Sequence, residues 1–184
     1  MRDGSHAHHE RGSSGDGSRR AAAFDTGDAA VAVRREVDRA LRAGGLLPAL
    51  GVLNARTRYR FTGLYRVEGS VLRNICLFDR ENPTICGMGD VNLLHDTYCQ
   101  VVSRSDGPFA TADARIDERV SDIAPRTPVV SYSGVPVVCD RGARGTLCHF
   151  DTRPRLFWPE EVPVMESVAP LFAPALAQVS AVGP

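Results

Sequence analysis

Residues 131–151 constrain the fold more than any other stretch. Two short apolar runs, SYSGVPVVC at 131–139 and GTLCHFD at 145–151, flank a polar, Gly-containing turn. Such a pattern predicts a β-hairpin, because apolar runs of this length bounded by turn residues are too short for helices. Neither strand alternates cleanly between apolar and polar, so neither can show one face to water. The hairpin must therefore lie inside a sheet that is covered on both sides.

The remainder of the chain is sufficient to build those covers. Its 184 residues are a one-domain length, and 43% of them are hydrophobic, enough for a sizeable core. The 22 basic residues balance the 22 acidic ones, and no basic run interleaved with aromatics marks a nucleic-acid surface. Every basic residue is arginine. A chain without lysine has no Walker-type phosphate loop, Schiff-base lysine or pyridoxal-phosphate chemistry. Gly-x-Ser-x-Gly, His-Glu-x-x-His and Gly-x-Gly-x-x-Gly patterns are likewise missing from the sequence. Residues 1–23 are rich in Gly, Ser, Arg and His and nearly devoid of apolar side chains, which predicts a disordered tail through residue 24 and a domain over 25–184. The tail lacks a signal-peptide core, and no apolar run is long enough for a bilayer, so a cytoplasmic location is expected, with no membrane partner. His6, His8 and His9 read as solvated tail residues rather than a metal site, and none is predicted elsewhere.

Folded structure is expected from Asp28, an N-cap for a helix over 29–42 with Val31, Val33, Val37 and Leu41 as its apolar stripe and Gly44 and Gly45 as its stop. A second helical piece over 46–54 leads into strands at 60–65 (RFTGLY) and 71–78 (VLRNICLF). Residues 96–102 (DTYCQVV) read as a mid-domain helix, and 109–115 (FATADAR) as a strand and loop. Pro159 opens a final helix, in which Pro163 is tolerable in the first turn and Pro170 should produce a kink or an end. Glu160 and Glu161 fit the helix N-terminus as dipole-favourable charges.

The order of these segments, with Tyr-x-Gly-Val-Pro, a turn and Gly-Thr-Leu-Cys-x-x-Asp closing the domain, resembles a GAF domain, the small-molecule-sensing fold related to PAS domains. The likeness covers about residues 46–177. It implies an α+β fold with a central antiparallel sheet of five to six strands. Terminal helices lie on one face, and the mid-domain helix and loops lie over a pocket on the other. It also implies a stand-alone sensor that binds an unidentified small molecule, dimerises through its terminal helices and signals through a partner chain such as a kinase or cyclase. No particular cofactor follows. Residues placed near the pocket on this basis are Phe61, Cys76, Tyr98, Cys99, Val102, Asp113, Tyr132 and Cys148. Asp113 either accepts a donor from a ligand or forms an Asx turn with the next amides. Tyr98 and Tyr132 either offer hydroxyls to a ligand or are core residues with a polar tip.

Two other readings stay open: a cysteine-dependent reductase of the free methionine sulfoxide reductase type, and a dimerising adaptor whose pocket is filled. Five cysteines, an odd number, imply no disulfide framework. Cys76, Cys99, Cys139 and Cys148 fall in predicted strands or helix, where free cysteine is usually buried. Cys86, in the Gly-rich loop 85–89, is expected to be the most accessible and the most reactive. Three specialised relatives of this fold fit poorly. The reductases carry a cysteine shortly before the penultimate strand, and residues 121–127 contain none. Bilin-binding members use a Cys-His pair that Cys148 and His149 match only superficially, and cyclic-nucleotide-binding members carry a signature that includes lysine. A catalytic role is therefore the less favoured expectation, and no catalytic residue is assigned.

Overall fold

The computed structural model describes residues 17–140, 142 and 144–178. Helix α1 spans Gly17–Gly44 and α2 spans Leu46–Asn54, separated by Gly45 at φ 81°. That left-handed conformation, cheap only for glycine, lets the chain reverse. The expected start at Asp28 is corrected, since helical backbone already runs through the alanines at 21–23, which are good helix formers. Residues 1–16, most of the expected tail, lie outside the described residues.

Six antiparallel strands follow: β1 Phe61–Glu68, β2 Val71–Asp79, β3 Val91–Leu93, β4 Phe109–Thr111, β5 Ser131–Val138 and β6 Arg144–Asp151. They form one sheet in the order β3-β2-β1-β6-β5-β4. The β5–β6 hairpin is thus interior, as its apolar runs require, and six of the eight residues in each strand are buried. Helix α3, Cys99–Ser105, crosses one face; α1, α2 and α4, Glu161–Gln178, cover the other.

Strand alternation divides the core in two. Leu64, Val135, Val137 and Leu147 face the terminal helices and meet Val37, Leu50, Val168 and Phe172. Tyr65, Leu72, Tyr132 and Cys148 face α3 with Tyr98, Cys99 and Val102. Helix α4 does not end at Pro170 but continues through it and Pro174 to Gln178. The about 3 kcal/mol cost of an interior proline is offset by the burial of Val168, Phe172 and Leu176 on the same helix. Two guanidinium groups serve its carbonyls: Arg34 donates to the Ser167 oxygen, and Arg66 donates to that of Leu176 at 2.9 Å.

Candidate functional site

The central row of the α3 face carries the candidate site. Cys148 on β6 is paired with Gly63 on β1 and Gly134 on β5, so across the three central strands that row is a thiol with a glycine on each side. The missing side chains are filled from within each strand. A Cβ on Gly63 would strike the ring of Tyr65, and a Cβ on Gly134 would strike the ring of Tyr132. Each tyrosine therefore lies flat over a glycine two residues away. Between these rings, the Cys148 floor and the start of α3 there is a cleft of about 260 Å³.

Its floor is buried and its mouth is not. Leu72, Asn74, Tyr98 and Cys99 line the inside with Tyr65, Tyr132 and Cys148, while Asp90, Asn92 and Pro128 stand exposed at the entrance. The 80–90 loop folds back along β2, with Gly87 bonding both ways to Leu77 and the Asp90 carbonyl accepting from the Asn74 amide at 2.8 Å, and this holds Asp90 at the mouth. Asp90 is the one charged residue among the lining residues described. Asn74 is 4% exposed, and its Oδ1 has no partner. A buried amide oxygen left unpaired costs about 1 to 3 kcal/mol, so the cleft wall carries an unmet acceptor.

Two thiols meet at the floor. The Thr146 hydroxyl donates to Cys99 Sγ at 3.1 Å, and Tyr132 Oη lies 3.4 Å from the same sulfur. The Cys99 pKa is lowered, chiefly by the hydrogen bond from the neighbouring Cys148 thiol, with Thr146, Tyr132 and Thr97 adding to it against the opposing effect of burial. Burial and the neighbouring Cys99 push Cys148 up. Of the two thiols, Cys99 is the one held below the ordinary thiol value.

Four of the expected residues, Tyr98, Cys99, Tyr132 and Cys148, come together here. The other four do not line the cleft. Cys76 lies on the opposite face, because a β-bulge opposite the Leu64–Tyr65 step puts both Ile75 and Cys76 on the helix side and reverses the alternation beyond Asn74. Phe61 stacks on Phe150, a cleft wall, at 5.0 Å, and so braces the site from behind. Val102 is fully buried one turn along α3, packed rather than lining. Asp113 adopts the Asx turn, accepting from the Arg115 amide at 3.1 Å and pairing with its guanidinium at 2.6 Å. The Tyr98 hydroxyl is also engaged, donating to the Val129 carbonyl at 3.1 Å.

Tyr65 and Asn74 were missed. Tyr65 had a readable signal in Gly63-Leu-Tyr65, the mirror of Tyr132-Ser-Gly134. Asn74 had none, since a polar residue inside a strand says nothing about which face it takes when a bulge follows. Cys86 is half-buried and packs against the helix-side core beside Cys76, with Gly87 pinned to Leu77, so the expected loose loop is held.

This architecture is a GAF-like fold. No protein-family model and no curated protein sequence matches the chain. Solved structures do. The GAF domain of an Acinetobacter phosphoenolpyruvate-protein phosphotransferase aligns at a TM-score of 0.63 and 15% identity, over 84% of this chain and 96% of that one. The phycoerythrobilin-bound GAF domain of a cyanobacterial phytochrome aligns at 0.60 and 15%, over 81% and 95%. The free methionine-R-sulfoxide reductase of Neisseria meningitidis, solved with its substrate, aligns at 0.59 and 16%, over 82% and 90%. At these identities the likeness carries the fold alone.

Proposed function

We propose that the chain is a small-molecule sensor whose ligand enters the cleft between the sheet and α3. Such a ligand is neutral or cationic and brings a hydrogen-bond donor to Asn74. The carrying observation is the unpaired Asn74 oxygen on the wall of a cleft whose only charge, among the described lining residues, is Asp90. An anion would be desolvated there with no arginine or histidine to receive it, which disfavours phosphates and nucleotides. A volume of about 260 Å³ lies below the about 300–1,000 Å³ of drug-sized sites and suits a metabolite. A bilin reading is disfavoured further because Cys148 faces the cleft while its neighbour His149 faces the terminal helices, donor or acceptor to Thr62 Oγ1 at 2.7 Å. Binding would be reported through the terminal helices to a second copy of the chain and to a signalling partner such as a kinase or cyclase. Native mass spectrometry of protein purified from its own host tests the reading: a retained small molecule should be seen, and should be lost in Val129→Trp, which fills the cleft from its half-buried side. Retention by that variant would refute the assignment of the cleft.

A second reading rests on the Cys99–Cys148 pair. Oxidation of the two thiols to a disulfide would pass two electrons to a bound sulfoxide, giving a sulfide and water and consuming both thiol protons. Incubation with free methionine sulfoxide should then remove two hydrogens from the protein mass, and Cys99→Ser should abolish the loss. An unchanged mass leaves the binding role.

A further inference from the structure

A separate cavity lies on the opposite face, enclosed by α1, the end of α2, the segment after β6 and the start of α4. It measures about 290 Å³. Val33, Leu53 and Met165 form an apolar wall; Glu161 and His149 supply polar groups, and Trp158, 47% exposed, stands at the rim. Among the described residues, both carboxyl oxygens of Glu161 are buried without a hydrogen-bond partner, and so is the hydroxyl of Tyr59, which feels the Glu161 charge. Glu161 is only 9% exposed, and Tyr59 is fully buried, stacked on His149 at 5.9 Å. A position at a helix N-terminus favours an acidic residue, but it does not account for a carboxyl with neither oxygen bonded.

The neighbouring cations are engaged elsewhere. Arg56 lines the cavity, yet its guanidinium is 2.6 Å from Glu36 on α1. Arg80 donates to Asn54 Oδ1 at 2.9 Å and to the Thr57 carbonyl at 2.8 Å. His149 is bound through Nδ1 to Thr62, and burial takes its pKa down to about 3, so it is neutral. Glu160, on the same turn as Glu161, adds negative charge. The unmet requirement is for a positively charged donor attached to something apolar.

We propose that this cavity binds a small primary amine, its ammonium group paired with Glu161 and its aliphatic or aromatic body against Val33, Leu53 and Met165 beneath Trp158. A buried ammonium–carboxylate pair meets the unpaired oxygens, and the tryptophan ring offers the face to which cations are attracted. Burial, aided by Glu160, raises the Glu161 carboxyl to about 7 in the empty site. An ammonium must therefore displace the Glu161 proton. Tyr59, also pushed up by burial, and neutral His149 do not titrate in that range, so amine affinity falls as pH drops below about 7. Occupancy would tie α4 to α1 and α2 independently of the α3 cleft.

Trp158 is the only tryptophan of the chain and reports directly on the site. Full-length protein is titrated with benzylamine and with benzyl alcohol, its neutral counterpart, while Trp158 fluorescence is followed. The expected result is a saturable change with benzylamine, binding at least about ten-fold weaker for the alcohol, and a further loss of about ten-fold or more in Glu161→Gln. Val129→Phe, which narrows only the α3 cleft and adds no second tryptophan, should bind benzylamine as the wild type does. Ala29→Phe, at the exposed mouth on α1, should weaken binding without touching the core and serves if Glu161→Gln does not fold. Equal affinity for amine and alcohol would overturn the proposal. So would wild-type affinity in a folded Glu161→Gln or in Ala29→Phe, or no saturable response to benzylamine.

Discussion

On the face covered by α1, α2 and α4, Leu64, Val135, Val137 and Leu147 of the central strands meet Val37, Leu50, Val168 and Phe172, all of them buried, and Thr62, Ser133 and His149 share that face. On the face covered by α3, the same strands present tyrosines, a threonine and a cysteine, with glycines on both sides of that cysteine. Strand alternation makes this possible, because each strand carries two independent sequences, one per face. Aliphatic side chains interdigitate to native density; flat rings lying over glycines leave a cleft between them. The difference separates a face whose centre holds the domain together from one whose centre can receive a ligand.

Truncation should expose the contrast most strongly. Phe172→Ala on the helix side should cost about 3 to 5 kcal/mol in urea unfolding, and Leu72→Ala, beside space that already exists, should fall near the lower end of the about 2 to 5 kcal/mol range for leucine. Equal costs would break the distinction. Overpacking sharpens it within the α3 face itself. Val102→Trp, into a filled position, should cost about 1 to 3 kcal/mol, whereas Val129→Trp, into the cleft, should cost less. Gly134→Ala should fall in the same range as Val102→Trp, since its Cβ displaces the Tyr132 ring and with it the contact to Cys99.

Smaller effects concern charge, and their signs differ between two carboxylates. Asp79 is held down to about 2, chiefly by its hydrogen bonds from Arg60, at 2.7 and 2.8 Å. Its folded value lies below the unfolded one, so its contribution is present above about pH 4 and is lost as pH falls toward 2. Glu161 is raised to about 7. The folded state then holds a proton that the unfolded chain has released, and stability falls as pH rises from about 4 to about 7. Glu161→Gln should flatten that fall, and Arg60→Gln should flatten the acid-side loss; melting temperatures across pH read both. Smallest of all, Asp113→Ala should leave any ligand-induced shift unchanged, because its turn lies outside the cleft.

The hairpin and both terminal covers were legible because each rests on an apolar run with a punctuating Gly or Pro, while the mid-domain helix, expected at 96–102, lies three residues later at Cys99–Ser105. Helix α2 was read to its ends for that reason. The cleft was legible where it depends on simple alternation, as with Tyr132 and Cys148, and on α3. Beyond the bulge in β2 it was not, since one extra residue reverses every later side chain and nothing local in VLRNICLF announces it. The unpaired Glu161 was hidden for a different reason. An acidic residue at a helix start looks the same in sequence whether it faces water or a cavity, and only the packing of Trp158 and α1 decides.

The central claim, that the α3 face holds a ligand cleft selective against anions, is tested most directly by melting temperatures of wild type and Val129→Trp against matched panels of neutral, cationic and anionic metabolites. A ligand at a hundred times its dissociation constant stabilises by about 2.7 kcal/mol, which for a chain of this length is about 5 to 10 °C. The account predicts such a shift from a neutral or cationic donor compound, rising with its concentration and absent in Val129→Trp. Shifts from anions alone, or a shift that survives Val129→Trp, would contradict it. So would no shift from any compound together with strong destabilisation by Val129→Trp, which would mean that the cleft is packed and that the domain is an adaptor.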